Sequence, residues 1–198
     1  MRGRLVVILL AGVLGAVNAA AEGGEGRSAL TLQLGRPWVG DGHWSAGTIS
    51  GSACFDRPLA PRLAAVVIAG TARGIATGIS HDEIELDNSY VVAGARFTSH
   101  PEDRVRLYLL AAIGVLRADS RETSYGWLNG GSSVVRESRT GTTAIVGTGV
   151  VASIPHSRFS VVCEASYLMP QTGAPAGLSG TVPAQLLASV GLRVALGR

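Results

Sequence analysis

The chain has 198 residues, of which 46% are apolar and only 16% carry charge. Its basic residues are all arginine, and no run of them is long enough to form a nucleic-acid-binding patch. So little charge on so much apolar surface is unusual for one soluble domain and indicates that something other than water covers part of the chain.

The N-terminus has the three parts of a secretory signal peptide. Residues 1–4 are positively charged, residues 5–17 are apolar, and residues 19–21 form an Ala-Ala-Ala cleavage site. We therefore predict removal of residues 1–21, which leaves residues 22–198 as one domain with 15 arginines against 14 acidic residues. A retained membrane anchor is the alternative, but the apolar run is short for a spanning helix.

Eight segments are predicted as β-strands, most of them because apolar and polar residues alternate with a period of two. Both parities are apolar in the third segment, so periodicity alone does not distinguish a strand from a short helix there. The segments are residues 30–35, 47–55, 62–72, 89–98, 105–116, 142–154, 159–168 and 184–197.

The last segment has the cleanest alternation in the chain. Its even positions from Leu186 to Leu196 are all apolar, whereas Gln185, Ser189 and Arg193 occupy odd positions. A strand of this length is close to the roughly 9–11 residues that cross a bilayer at a tilt. We interpret it as the closing strand of a barrel.

The connections between the segments alternate in length. Tight turns are predicted at residues 56–61, 99–103 and 155–158, and longer loops at residues 38–44, 73–87, 117–141 and 170–183. An antiparallel up-and-down barrel has this rhythm when one rim is kept short and the other is elaborated. The predicted fold class is therefore all-β, an eight-stranded antiparallel up-and-down transmembrane β-barrel.

In this pattern the chain resembles the small eight-stranded outer-membrane β-barrels of bacteria, the OmpA/OmpX type. The resemblance covers residues 28–198 and is strongest at residues 90–97, 105–116 and 159–167. It implies a monomer in the outer membrane of a Gram-negative cell, with short turns facing the periplasm and long loops facing outward. It also implies contact with membrane lipid and with surface partners, and it brings no catalytic residue, cofactor or metal site.

Four charged residues fall on the parity that would face the barrel interior. A single carboxylate among several arginines is expected to pair with at least one of them, and Glu164 and Arg193 lie on neighbouring strands. A packed polar core is favoured over a gated ionic pore. The four residues are Arg96, Arg106, Glu164 and Arg193.

The two cysteines, Cys54 and Cys163, are expected to be free and of the buried type. An exported protein can form disulfides, but these cysteines fall on opposite faces of strands that are not neighbours.

Three other features allow a functional interpretation beside a structural one. His156-Ser157, with Glu164, is a weak candidate for a lipid-ester hydrolase, and the acidic run at residues 81–87 is more simply a solvated loop than a cation site. The aromatic residues of the loops serve either a surface partner or the membrane interface equally well. They are Trp38, Trp44, Tyr125 and Trp127.

The leading hypothesis is a non-enzymatic outer-membrane barrel with a role in envelope structure or surface interaction. The alternative from another class is a soluble, exported, lipocalin-like barrel that carries a lipophilic ligand. The two differ in the direction of the apolar parity, which faces lipid in the first and the barrel interior in the second.

Overall fold

The computed structural model describes residues 27–39, 49–77, 83–125, 132–170 and 184–196. Every strand pairs antiparallel with the next, and the last pairs with the first, so that the described residues form one closed eight-stranded barrel. In chain order the strands are β1 (Ala29–Val39), β2 (Ile49–Ala60), β3 (Leu63–Thr77), β4 (Glu83–Thr98), β5 (Val105–Tyr125), β6 (Ser132–Ser153), β7 (Phe159–Pro170) and β8 (Gln185–Ala195). The predicted fold class is confirmed.

The last strand closes the barrel as predicted. β8 pairs with β1 over eleven consecutive positions, from Ala29 opposite Ala195 to Val39 opposite Gln185. Its even residues face outward, and Val190 is 58% exposed, whereas Leu187 on the other parity is buried inside. Closure removes the two strand edges, so the backbone groups of β1 and β8 bond each other rather than water.

An apolar band surrounds the outside of the barrel. On β5 the outward residues Leu107, Leu109 and Ile113 are each more than half exposed, and other strands present similar side chains. No charged side chain interrupts this parity of β5 between Val105 and Val115. A bilayer is the environment that covers such a band.

The interior is mixed rather than mainly polar. Apolar side chains from the inward parities form one buried cluster, which includes Val66, Ile68, Val92, Leu110 and Ile145. This explains why β3 is apolar on both faces: Val66 and Ile68 pack inside, while Val67 points outward and is 36% exposed. The third segment is therefore a strand whose two apolar faces have different neighbours.

The strands are longer than alternation predicted at the end opposite the tight turns. Within the predicted 117–141 loop, β5 continues to Tyr125 and β6 begins at Ser132, and β3 and β4 continue into the predicted 73–87 loop. In these extensions polar side chains replace apolar ones on the outward parity, for example Glu85 and Asp87 on β4, so the apolar outward pattern ends although ladder bonds continue. The prediction of long loops there was wrong for this reason.

The turn predicted at residues 56–61 was also wrong. β2 runs to Ala60 and the turn consists of residues 61–62, with a register shift between Pro58 and Ala60 that accommodates the proline. The other two tight turns are confirmed, at residues 99–104 and 154–158. The consequence is that Asp56 is not in a turn but on the inward face of β2, where only 1% of it is exposed.

Both cysteines are free, as predicted, but only one of them is buried. Cys54 is enclosed on β2, whereas Cys163 on β7 is exposed on the outward face. Among the described residues, no helix is long and apolar enough to cross a membrane.

We expect Leu109→Arg to lower the free energy of unfolding in lipid vesicles by about 2–4 kcal/mol, because the guanidinium would lie in the hydrocarbon layer. Ser138→Arg is the matched control, since Ser138 is exposed on the part of β6 beyond the apolar band, and should change stability by less than about 0.5 kcal/mol. The measurement is urea unfolding followed by tryptophan fluorescence. Equal costs for the two variants would mean that water, not lipid, surrounds the band.

Candidate functional site

The polar groups of the barrel interior form the candidate site. The four residues predicted from the sequence lie on inward positions of four different strands, but the structure does not join them as one charge cluster. Each is held by groups on other strands. The four are Arg96 on β4, Arg106 on β5, Glu164 on β7 and Arg193 on β8.

A buried carboxylate holds two of the arginines. Asp56 Oδ1 forms an ion pair with Nη1 of Arg96, and Asp56 Oδ2 lies 3.2 Å from Nε of Arg193. Arg96 and Asp56 are almost fully buried, at 3% and 1% exposure. Arg96 also donates through Nη2 to the sulfur of Cys54 at 3.4 Å. Because Asp56 contacts both β4 and β8 from β2, this cluster ties together strands that are not sequence neighbours.

Glu164 is bound by neutral donors instead of by arginine. The Tyr108 hydroxyl donates to Glu164 Oε2 at 2.6 Å, and Gln33 Nε2 lies 3.4 Å from the same oxygen. Ser52 in turn donates to Oε1 of Gln33 at 3.0 Å. Among the described residues Glu164 makes no salt bridge, so the expected pair with Arg193 does not form.

A glycine makes the contact between Tyr108 and Glu164 possible. Gly149 on β6 stands directly opposite Tyr108 on one side and directly opposite Glu164 on the other. A Cβ at Gly149 would overlap the Tyr108 ring, well inside van der Waals contact. The missing side chain therefore lets the tyrosine lie across β6 and reach the carboxylate two strands away.

Arg96 joins the two clusters. Its guanidinium carbon lies 4.6 Å from the centroid of the Tyr108 ring, within the range of a cation–π contact. One continuous polar network thus runs across the barrel from Asp56 through Arg96 and Tyr108 to Glu164 and Gln33. Sequence reasoning missed Asp56, Tyr108 and Gln33, although the alternation of β1 and β5 placed the last two on inward parities.

Arg106 lies nearer the turns and belongs to neither cluster. It donates to Ser153 Oγ at 2.8 Å and, more weakly, to the carbonyl of Pro101 at 3.5 Å. No carboxylate of the described residues lies within salt-bridge distance of it.

The centre of the barrel is closely filled. Between the network and the apolar cluster, the described residues leave a cavity of about 10 Å³, lined by residues that include Gln33, Tyr90 and Glu164. That is roughly the space of one water molecule. The centre of the barrel therefore has no room for a carried ligand or an open aqueous channel.

The hydrolase candidate is not assembled. Ser157 Oγ donates to the carbonyl of Ile154 at 3.1 Å and accepts from the backbone of Phe159 at 3.1 Å, which closes the turn. His156 has a φ of 56° and is exposed in the same turn. Glu164 is engaged with Tyr108 inside the barrel, so these three groups do not form a nucleophile, base and acid set.

The acidic run is only partly within the described residues. Glu85 and Asp87 both pair with Arg73, at 3.1 and 3.4 Å, and His81 and Asp82 lie outside the described part. In the described ranges there is no group of three or more residues placed to hold a metal ion. Of the loop aromatics, Trp38 ends up on β1 and is 42% exposed, and Trp44 and Trp127 lie outside the described residues.

No model of a known protein family matches the chain, and no curated protein matches it in sequence. Solved structures do match in fold. Ail, the attachment invasion locus protein of Yersinia pestis, is 16% identical, with 87% of this chain and 99% of that chain covered and a TM-score of 0.52. Neisserial surface protein A is 15% identical over 85% and 97%, with a TM-score of 0.54.

A third match is a major outer membrane protein of Thermus thermophilus, 11% identical over 86% of this chain and 100% of that one, with a TM-score of 0.59. At these identities the comparisons establish the fold alone. The chain has the architecture of the small outer-membrane β-barrels. Its outer apolar band is the surface that such a barrel turns toward lipid.

We expect Asp56→Asn to lower the free energy of unfolding by about 3–5 kcal/mol, because it leaves the buried Arg96 guanidinium without its counter-charge. The double variant with Arg96→Met should cost less than the sum of the two single changes, by about 1 kcal/mol or more. Asp103→Asn, in an exposed turn, is the control and should cost less than about 0.5 kcal/mol. Additive costs for Asp56 and Arg96 would contradict the ion pair.

We expect Tyr108→Phe to cost about 1–3 kcal/mol, because it keeps the ring over Gly149 but removes the donor to a part-buried carboxylate. Combined with Glu164→Gln, the loss should be less than additive, whereas Glu164→Gln and Arg193→Gln should add within about 0.5 kcal/mol. Additive costs for Tyr108→Phe with Glu164→Gln, together with non-additive costs for Glu164→Gln with Arg193→Gln, would identify Arg193 as the partner of Glu164. Urea unfolding of the folded, detergent-solubilised protein measures these two couplings and the coupling between Asp56 and Arg96.

Proposed function

We propose that this protein is a non-enzymatic, non-conducting outer-membrane barrel, exported through a signal peptide at residues 1–21 that is then cleaved. Its longer end contacts partners outside the cell. The observation that carries the proposal is an apolar outer band around an interior filled by side chains. A barrel that spans a membrane needs the apolar band, and a barrel that conducts no solute needs the filled interior.

The two alternatives have less support. A lipophilic-ligand carrier would turn its apolar parity inward around a cavity, whereas here that parity is exposed outside and the central cavity holds about 10 Å³. A hydrolase would need Ser157, His156 and an acid in contact, and Ser157 is instead occupied in closing its own turn.

The surface-interaction part of the proposal is supported by the extension of four strands beyond the apolar band. β6 pairs with β7 only from Thr143 onward, but with β5 from Ser132 onward. Eleven residues of β6 therefore extend past the described part of β7, about 35 Å of strand at roughly 3.3 Å per residue. Val134 and Val135 on this projection are about half exposed, on opposite faces of the strand.

Cell fractionation and gel mobility test the location. We expect the protein to pellet with outer membranes, to need detergent for extraction, and to change its gel mobility only after boiling, because a closed barrel resists unfolding by detergent alone. Recovery in the soluble periplasmic fraction with the same mobility before and after heating would favour the carrier.

Conductance in planar bilayers tests the seal. Purified protein should give no steady current, and the Asp56→Asn variant, if it folds, supplies a comparison in which the interior network is weakened. A steady current from the wild-type protein would contradict the sealed interior while leaving the membrane location intact.

A further inference from the structure

The barrel opens into a wide cavity at the end that carries the tight turns. This vestibule, as we call it, has a volume of about 790 Å³ and is bounded by the turns β2–β3, β4–β5 and β6–β7 together with the ends of β1 and β8. Its size is that of a small-molecule site, in contrast to the filled barrel centre.

Four residues from four strands form the floor of the vestibule. Arg106 on β5 donates to Ser153 Oγ on β6 at 2.8 Å, and Ser160 Oγ on β7 lies 3.4 Å from the same oxygen. Arg193 on β8 stands directly opposite Ser160 in the ladder. Two guanidinium groups and two hydroxyls are thus collected on one surface that faces the opening.

The positive charge of the vestibule is not neutralised by its own walls. Among the described residues its lining includes five arginines and no acidic residue: Arg27, Arg62, Arg106, Arg158 and Arg193. Asp56, the nearest inward carboxylate on β2, is already shared between Arg96 and Arg193.

Arg106 shows the imbalance most clearly. Its Nε is buried without a hydrogen-bond partner in the described residues, and its charge is opposed by that of Arg193. Other charges are close in sequence, but Glu102 and Asp103 are exposed in the β4–β5 turn and form no salt bridge with it. A buried donor on a cation lacking a counter-charge is costly unless an anion binds it.

We propose that the vestibule is a binding site for a phosphate-bearing ligand. A phosphate group offers several acceptor oxygens pointing in different directions, which suits guanidinium forks from opposite walls and hydroxyl donors between them. A ligand with a single carboxylate would need only one arginine guanidinium and would leave the other arginines of the vestibule without an anion. A phospholipid headgroup and free phosphate share this chemistry, and the experiment below distinguishes them. The vestibule lies at the opposite end of the barrel from the projection of β5 and β6.

The test uses the full mature protein in a neutral detergent and two probes, inorganic phosphate and a short-chain phosphatidylglycerol. Binding is measured by calorimetry and by the rise in melting temperature against sodium chloride of equal ionic strength. We expect saturable binding of at least one probe, and the probe that binds more tightly identifies the source of the phosphate.

Two variants remove vestibule arginines and one matched variant does not. Arg106→Gln and Arg158→Gln should each weaken binding about tenfold, because each removes a charge-assisted contact. Arg158 is exposed, so its variant tests the site even if Arg106→Gln impairs folding. Arg104→Gln changes the net charge equally at the same end but lies outside the vestibule lining, and it should bind like the wild type.

Three results would overturn the proposal. The first is that neither probe binds in a saturable way, and the second is that Arg104→Gln weakens binding as much as the vestibule variants, which would indicate only general charge attraction. The third concerns the two glutamates that precede Arg27 in the mature sequence. Saturable binding that appears only in a Glu22→Gln, Glu25→Gln double variant, and not in the wild type, would assign the arginines to the protein's own carboxylates.

Discussion

The buried carboxylate of Asp56 is the interaction on which the interior of this barrel depends. It sits on β2 and pairs with Arg96 on β4 and Arg193 on β8, so one side chain links three strands across the lumen. The β1–β8 ladder closes the barrel by backbone bonds, but a ladder alone does not determine what fills the inside. Because an unpaired guanidinium in that space would cost several kcal/mol, closure and charge pairing favour the same register.

The placement of the interior tyrosines follows from a different constraint, the narrow lumen of an eight-stranded barrel. A tyrosine fits across the lumen only where the neighbouring strand has a glycine at the facing position. Gly149 provides this space for Tyr108. Gly70 provides the same space for Tyr90, because a Cβ added at Gly70 would lie only 2.5 Å from the tyrosine hydroxyl oxygen. These two glycines are therefore part of the packing, because each one provides the space for a tyrosine ring on a neighbouring strand.

The sequence predicted the barrel better than it predicted the contacts inside it. Alternation was sufficient for β8 because lipid on one side and a packed lumen on the other impose a strict period of two. It failed for residues 117–125 and 132–141, where the outward side chains are mostly polar, and at Pro58, where the strand continues through a proline near its end. The second error removed Asp56 from the interior, so Glu164 appeared to be the carboxylate available to Arg193.

The two ends of the barrel differ in a way that alternation does not reveal. At the projecting end, Arg73 faces Glu85 and Asp87, and Arg117 faces Asp119, so charges are largely neutralised within the sheet. At the turn end, the arginines of the vestibule outnumber the carboxylates near them. A barrel whose centre is sealed cannot pass a ligand between these ends. The partners that we propose for the two ends are therefore separate, recognised by exposed apolar side chains at one end and by positive charge at the other.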